Sequence, residues 1–208
     1  MRIGVFDSGS GGLTVLAQLK KRLPECEYIY FGDYENMPYG DKPPEFIKSR
    51  ATAITRNLID QGAQLIVVAC NTVSAIAMEE LKKMSSVPII GVIEPTKEFL
   101  AKQRFKRIGL AATTATVKSS VYNADVNVAC PDLVPLIEEL DKTIHKYFSQ
   151  LRDVDAVILG CTHYPLVEGL IKRHLGDVPI INPAVHTAQS VLEFLDENNW
   201  RKTSRTKT

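Results

Sequence analysis

Two stretches of this 208-residue chain follow one plan at an offset of 91 residues. "LIVVACNTVSAIAMEELKKMSSVPII" (65–90) and "AVILGCTHYPLVEGLIKRHLGDVPII" (156–181) each pass from an apolar run to a cysteine, then to a helix-like stretch. Each closes on Val-Pro-Ile-Ile, 17 positions after Cys70 and after Cys161. A weaker echo at an offset of 105 pairs "RIGVFDSGSGG" (2–12) with "RIGLAATTATV" (107–117). A solenoid needs about three or more repeats, so two copies point instead to duplicated lobes that face each other.

The rest of the chain keeps the same rhythm. Strands are expected at 2–7, 27–33, 65–70, 87–92, 107–112, 126–130, 156–161 and 178–183. Helices are expected at 12–23, 44–61, 73–84, 95–103, 133–149, 164–174 and 185–198. Near-continuous apolar strands between amphipathic helices are the pattern of parallel sheets covered on both faces. The expected fold class is therefore α/β, with two pseudo-symmetric lobes, each a parallel-rich sheet flanked by helices, and an active site in the cleft between them. The boundary falls after Glu94-Pro95. It gives a first lobe at 1–95, to which 184–208 return, and a second lobe at 96–183.

Composition excludes several classes. With 25 basic and 24 acidic residues, the net charge of +1 implies no polyanionic partner. The basic tail "RKTSRTKT" reads as a solvated end. No apolar run approaches the ~20 residues that span a bilayer, and the N-terminus lacks the apolar core of a signal peptide. Four cysteines without C-x-x-C spacing suit neither a metal site nor a dense disulfide framework. Reduced thiols in the cytoplasm are the expectation.

Ligands of parallel α/β sheets bind beyond the carboxyl ends of the strands, which is where Cys70 and Cys161 stand. A helix start favours a thiolate there, whereas the bland reading is a small hydrophobe packed at a strand end. A matched pair, one per lobe, converges on one cleft and favours the functional reading. Two thiols on opposite sides of one ligand suit inversion at a carbon acid. One removes a proton from one face while the other delivers a proton to the opposite face.

Other groups surround them in sequence. "DSGSGGLT" (7–14) joins a strand to a helix and offers backbone N–H groups to a carboxylate or phosphate. It lacks the Walker lysine, and Thr14 stands where a dinucleotide fingerprint needs glycine. Asp7 is placed to orient a thiol or a substrate amine, or simply to cap a helix. His163 can assist Cys161 or sit solvated in a loop. Thr72 and Thr162 offer hydroxyls to a carboxylate, and Glu94 closes the strand of "GVIEP". "MPYG" (37–40) reads as a rigid loop, while Cys26 and Cys130 are structural or incidental.

Taken together, "GVFDSGSGGLTV", "FGD" with "PYG", "ACNTVSA", "GVIEP", "CP-LVPLIEE" (130–139, with Asp132 intervening) and "ILGCTHYPL" resemble the glutamate racemase branch of the aspartate/glutamate racemase family. The resemblance implies cofactor-independent interconversion of L- and D-glutamate, which supplies D-glutamate for peptidoglycan. It carries catalytic roles onto Cys70, Cys161, Asp7, His163 and Glu94. It places Ser8, Pro38, Tyr39, Gly40, Asn71, Thr72, Thr113, Thr116 and Thr162 along the substrate pocket. No metal or other cofactor is implied, and glutamate is the only expected small-molecule partner, with a homodimer as a candidate assembly. Two alternatives stand beside it: a racemase for aspartate or a related amino acid, and a trimmed homologue that binds an amino acid without turnover. The chain departs from the family in being shorter after Tyr122 and after "PLIEEL". It also carries Tyr34 and Glu35 where small residues are usual, and "INPAVHTA" where an aspartate-serine pair is usual.

Overall fold

Strand-sized runs buried on both faces alternate with helices along the chain, and two sheets result. A computed structural model describes residues 1–130, 140–151 and 153–200. The first sheet contains β1 (Arg2–Asp7), β2 (Glu27–Gly32), β3 (Leu65–Val68) and β4 (Ile89–Gly91) in the order β2-β1-β3-β4. The second contains β5 (Ile108–Ala112), β6 (Val126–Ala129), β7 (Ala156–Gly160) and β8 (Ile180–Ile181) in the order β6-β5-β7-β8. Every pairing is parallel, and the two orders are one order repeated. The two-lobed α/β architecture expected from the duplication is the one observed.

Parity along the strands divides the core into three. Leu65, Val67 and Ala69 join a central cluster, as do Ala156 and Ile158. Ile66, Val68 and Cys70 turn to a second cluster within the first lobe, and Val157, Leu159 and Cys161 to a third within the second lobe. Because side chains alternate across a strand, both cysteines keep the same parity in their own sheets. The central cluster also holds Val15 and Leu19 of α1 (Leu13–Arg22), Leu100 of α5 (Ile93–Ala101) and Ala188 and Val191 of α9 (Pro183–Glu197). It is therefore shared by both lobes.

Helix α9 starts cleanly, with Asn182 Oδ1 accepting from the Ala184 N–H at 3.0 Å and Pro183 in the first turn. It packs along α1 and α5. Helix α2 (Pro44–Asp60) covers the other face of the first sheet. The stretch expected as one helix over 73–84 is two, α3 (Asn71–Ile76) and α4 (Met78–Met84), broken at Ala77. A short α6 (Thr114–Lys118) was not foreseen. The helix expected over 133–149 is described from Leu140 as α7 (Leu140–Phe148), and α8 spans Glu168–Leu175. Residues 131–139 of "CP-LVPLIEE" and the tail 201–208 lie outside the described residues.

Candidate active site

Strand β3 ends at Val68 and α3 begins at Asn71, which leaves Cys70 as the residue that caps the helix. Strand β7 ends at Gly160, and Cys161 follows it directly into a tight turn. The two equivalent strand ends face one cavity of about 40 Å³. Its walls come from both lobes: Ser8, Met37, Pro38, Tyr39, Gly40, Cys70, Asn71 and Thr72 from the first, Thr113, Gly160, Cys161, Thr162 and His163 from the second. Cys70 and Cys161 are buried, at 5% and 8% exposure.

Each thiol has a polar side chain beside it. The Cys70 thiol donates to Ser8 Oγ at 3.7 Å. Cys161 Sγ lies 3.7 Å from His163 Nδ1. Burial pushes the Cys70 thiol up to about 11, and the nearby Asp7 charge adds to the effect. Burial likewise pushes Cys161 up to about 12, opposed by the His163 backbone N–H.

Asp7 sits behind the cavity, not in its wall, and is 1% exposed. It accepts from the Gly9 N–H at 2.9 Å and from the Thr162 hydroxyl at 3.3 Å. Desolvation raises its pKa despite these donors and the nearby His163. Asp7 thus ties the first lobe to the loop that carries Cys161. The glycines of "DSGSGG" have a matching steric purpose. A Cβ on Gly11 would stand 2.2 Å from Thr162 Oγ1 and 2.8 Å from the His163 ring, and one on Gly12 would stand 2.5 Å from the Asp7 Cβ. The loop is bare so that the lobes can close on each other.

The hydroxyl residues form a chain across the cleft. Thr72 Oγ1 and Thr113 Oγ1 are 2.9 Å apart, and Thr113 Oγ1 and Thr116 Oγ1 are 3.0 Å apart. Thr113 also caps α6, which explains a helix in so threonine-rich a stretch. Thr116 is buried one step behind the wall. Tyr39 lines the cavity with its ring, because its hydroxyl is engaged elsewhere: it donates to Asp33 Oδ2. Asp33 also receives Arg50 Nε at 2.9 Å and Arg50 Nη2 at 2.8 Å, a two-point clamp that fixes the 37–40 wall.

Glu94 is not brought to this cavity. Strand β4 stops at Gly91, so Glu94 falls in the first turn of α5, exposed, where a carboxylate suits the helix dipole. It borders a separate cavity with Lys48, Glu79, Glu80 and Lys83. Among the described residues, no group of three or more His, Cys, Asp or Glu side chains is arranged to hold a metal ion.

A sequence model of Asp/Glu/hydantoin racemases matches residues 13–129, more than half of the chain. The chain belongs to that family. The glutamate racemase of Aquifex pyrophilus is 42% identical to this family member over 215 residues, spanning 95% of this chain and 85% of its relative. The crystal structure of the Thermus thermophilus glutamate racemase in complex with β-chloro-D-alanine superposes with a TM-score of 0.87 at 42% identity, covering 95% of this chain and 81% of the other. The Francisella tularensis glutamate racemase in complex with D-glutamate also gives a TM-score of 0.87, at 35% identity and with the same coverages.

Sequence reasoning missed four residues of this cavity and its surround: Met37 and Gly160 in the wall, and Asp33 and Arg50 behind it. Asp33 had a signal, since it follows β2 directly in "FGD", much as Asp7 ends β1 in "VFD". Arg50 had none, because it lies 17 residues away within an ordinary amphipathic helix.

Proposed function

We propose that this protein interconverts L- and D-glutamate without a cofactor, Cys70 and Cys161 acting as the two bases. The supporting observation is the placement of the two thiols on one small, buried cavity, each from its own lobe. One thiolate takes the α-proton as the C–H electron pair delocalises into the substrate carboxylate. The opposing thiol gives its proton to the other face, so the proton count is unchanged and the second sulfur is left as thiolate. Asn71, Thr72, Thr113 and Thr162 are the donors for the carboxylates, with Ser8 and His163 serving the two sulfurs. Asp7 positions Thr162 and, with the substrate ammonium, sets the charge around the thiols. Glu94 and Thr116 stand outside the cavity wall and touch no substrate. The identity to glutamate racemases along nearly the whole chain favours glutamate over aspartate.

The domain division 1–95 with 184–208 and 96–183 belongs to the same proposal, and the packing of α9 on α1 supports it. No helix among the described residues is long and apolar enough to cross a membrane, which fits a cytoplasmic enzyme making D-glutamate for peptidoglycan. A homodimer would sediment at twice the mass of the chain.

The test is circular dichroism with each enantiomer of glutamate and no added cofactor or metal. Both signals are expected to decay to zero, and Cys70→Ala or Cys161→Ala to stop the decay and solvent-deuterium incorporation. Glutamate binding by calorimetry with no optical change would favour the non-catalytic homologue. Normal racemisation by the double Cys→Ala variant would refute the two-thiol mechanism.

A further inference from the structure

The first residue after Cys70 has an unexpected partner in the other lobe. Asn71 is 3% exposed and lines the cavity, and its Oδ1 accepts from the Tyr122 hydroxyl at 2.6 Å. Tyr122 is 4% exposed and lies just beyond α6, packed into the central core. Its aromatic ring is held by that core, so the hydroxyl has little freedom to follow Asn71 elsewhere. Burial raises the phenol's pKa and the Glu94 charge adds to it, against the opposing Thr96 hydroxyl, so the phenol keeps the proton that it gives to Asn71.

An asparagine amide is half acceptor and half donor, and a 180° turn exchanges the two. A phenol can accept as well as donate, but here its proton lies on Oδ1, which turns the Nδ2 end of the amide away from the ring. The Nδ2 hydrogens then remain, and among the described residues no acceptor engages them. We infer that Tyr122 is a positioning residue for the racemase reaction: it locks the Asn71 amide so that its N–H groups face the cavity and receive a substrate carboxylate. The inference rests on the glutamate reading above. It assigns no contact between Tyr122 and substrate; the phenol acts through Asn71. Without it, the amide can turn and present its oxygen to the carboxylate, an acceptor facing an anion. A tyrosine serving only the core would instead affect stability and leave recognition alone.

A double-mutant cycle separates these cases. Tyr122→Phe is expected to raise the KM for both enantiomers about tenfold, with kcat changed less than threefold. Asn71→Ala is expected to raise KM further, and the double variant to match Asn71→Ala. Multiplying effects, or an unchanged KM in folded Tyr122→Phe, would overturn the inference. Asn71→Asp provides a second reading that leaves the phenol its acceptor. Replacing the donor with a charged oxygen should raise KM at least a hundredfold at unchanged Tm, and an unaltered KM would count against the proposal. Wild-type turnover with failure of the cycle sinks only this inference. A wild-type chain that neither turns over nor binds glutamate sinks the proposed function as well.

Discussion

At the scale of single residues, the cysteines present a tension. A carbon-bound proton next to a carboxylate demands a strong base, yet burial favours the neutral thiol at both sulfurs. With pKa values near 11 and 12, each thiol is at least four pH units from half-ionisation at pH 7. The cavity resolves part of this. A weakly acidic thiol gives a strongly basic thiolate, and the substrate ammonium brings a positive charge that favours ionisation only when substrate is present. A measurement follows from the sign. Alkylation of Cys70 and Cys161 by iodoacetamide, followed peptide by peptide, should be slow at pH 7. It should rise about tenfold per pH unit up to about pH 10, because only the thiolate reacts. An ordinary thiol levels off near its reference value of ~8.5. A plateau there for either pocket cysteine would contradict the burial account.

At the scale of elements, the strand-to-helix loops place the chemistry, and their spacing is a matter of atoms removed. Gly11 lies in the β1–α1 loop against Thr162 and His163. Gly11→Ala forces that contact apart, moving the turn that bears Cys161 relative to Cys70. Near-attack geometry is sensitive to displacements of about 1 Å. The variant is expected to lose at least tenfold in kcat/KM, about 1.4 kcal/mol, while circular dichroism keeps the secondary structure. Gly169→Ala is the control. It sits in α8 with nothing within 4 Å of the added carbon, and should gain roughly 0.5–1 kcal/mol of stability with activity unchanged. Equal behaviour of the two variants would remove the steric argument. The strands were readable beforehand because a run such as "LIVVAC" is apolar on both faces, and only a covered parallel strand uses such a run. The two cysteines were readable because duplication marked them. Glu94 was misplaced because β4 ends three residues before it and the chain turns at once into α5. The purpose of Gly11 was not readable, since it depends on an approach by Thr162, 151 positions away. Helix α6 was hidden because its stability comes from the Thr113 cap and packing, not from threonine-rich propensity.

At the scale of the whole molecule, the question is whether two lobes behave as two folding units. Sequence duplication alone suggests that they do, since each repeat carries a complete four-stranded sheet. The core says otherwise. Each lobe has a cluster of its own, but the central one draws Val5 and Val67 from the first sheet, Leu110 and Ile158 from the second, and Val191 from α9. Neither sheet can keep that face out of water alone, and hydrogen bonds from Thr162 to Asp7 and from Tyr122 to Asn71 cross the same boundary. Urea unfolding followed by tryptophan fluorescence and by far-ultraviolet circular dichroism should therefore give one coincident transition. Trp200, beside the central cluster, reports on the α9 end, while circular dichroism reports on both lobes. Val191→Asp places a charge where exposure is 0%. It is expected to lower stability by more than about 3 kcal/mol and to shift both signals together, though α9 belongs to the first lobe in the proposed division. A biphasic wild-type transition, or a variant that melts only part of the circular-dichroism signal, would mean that the lobes are energetically separate. The cavity would then be a contact between two independent bodies, and the spacing of its two sulfurs would vary with their relative motion. One shared core instead makes the distance between Cys70 and Cys161 a property of the folded state as a whole.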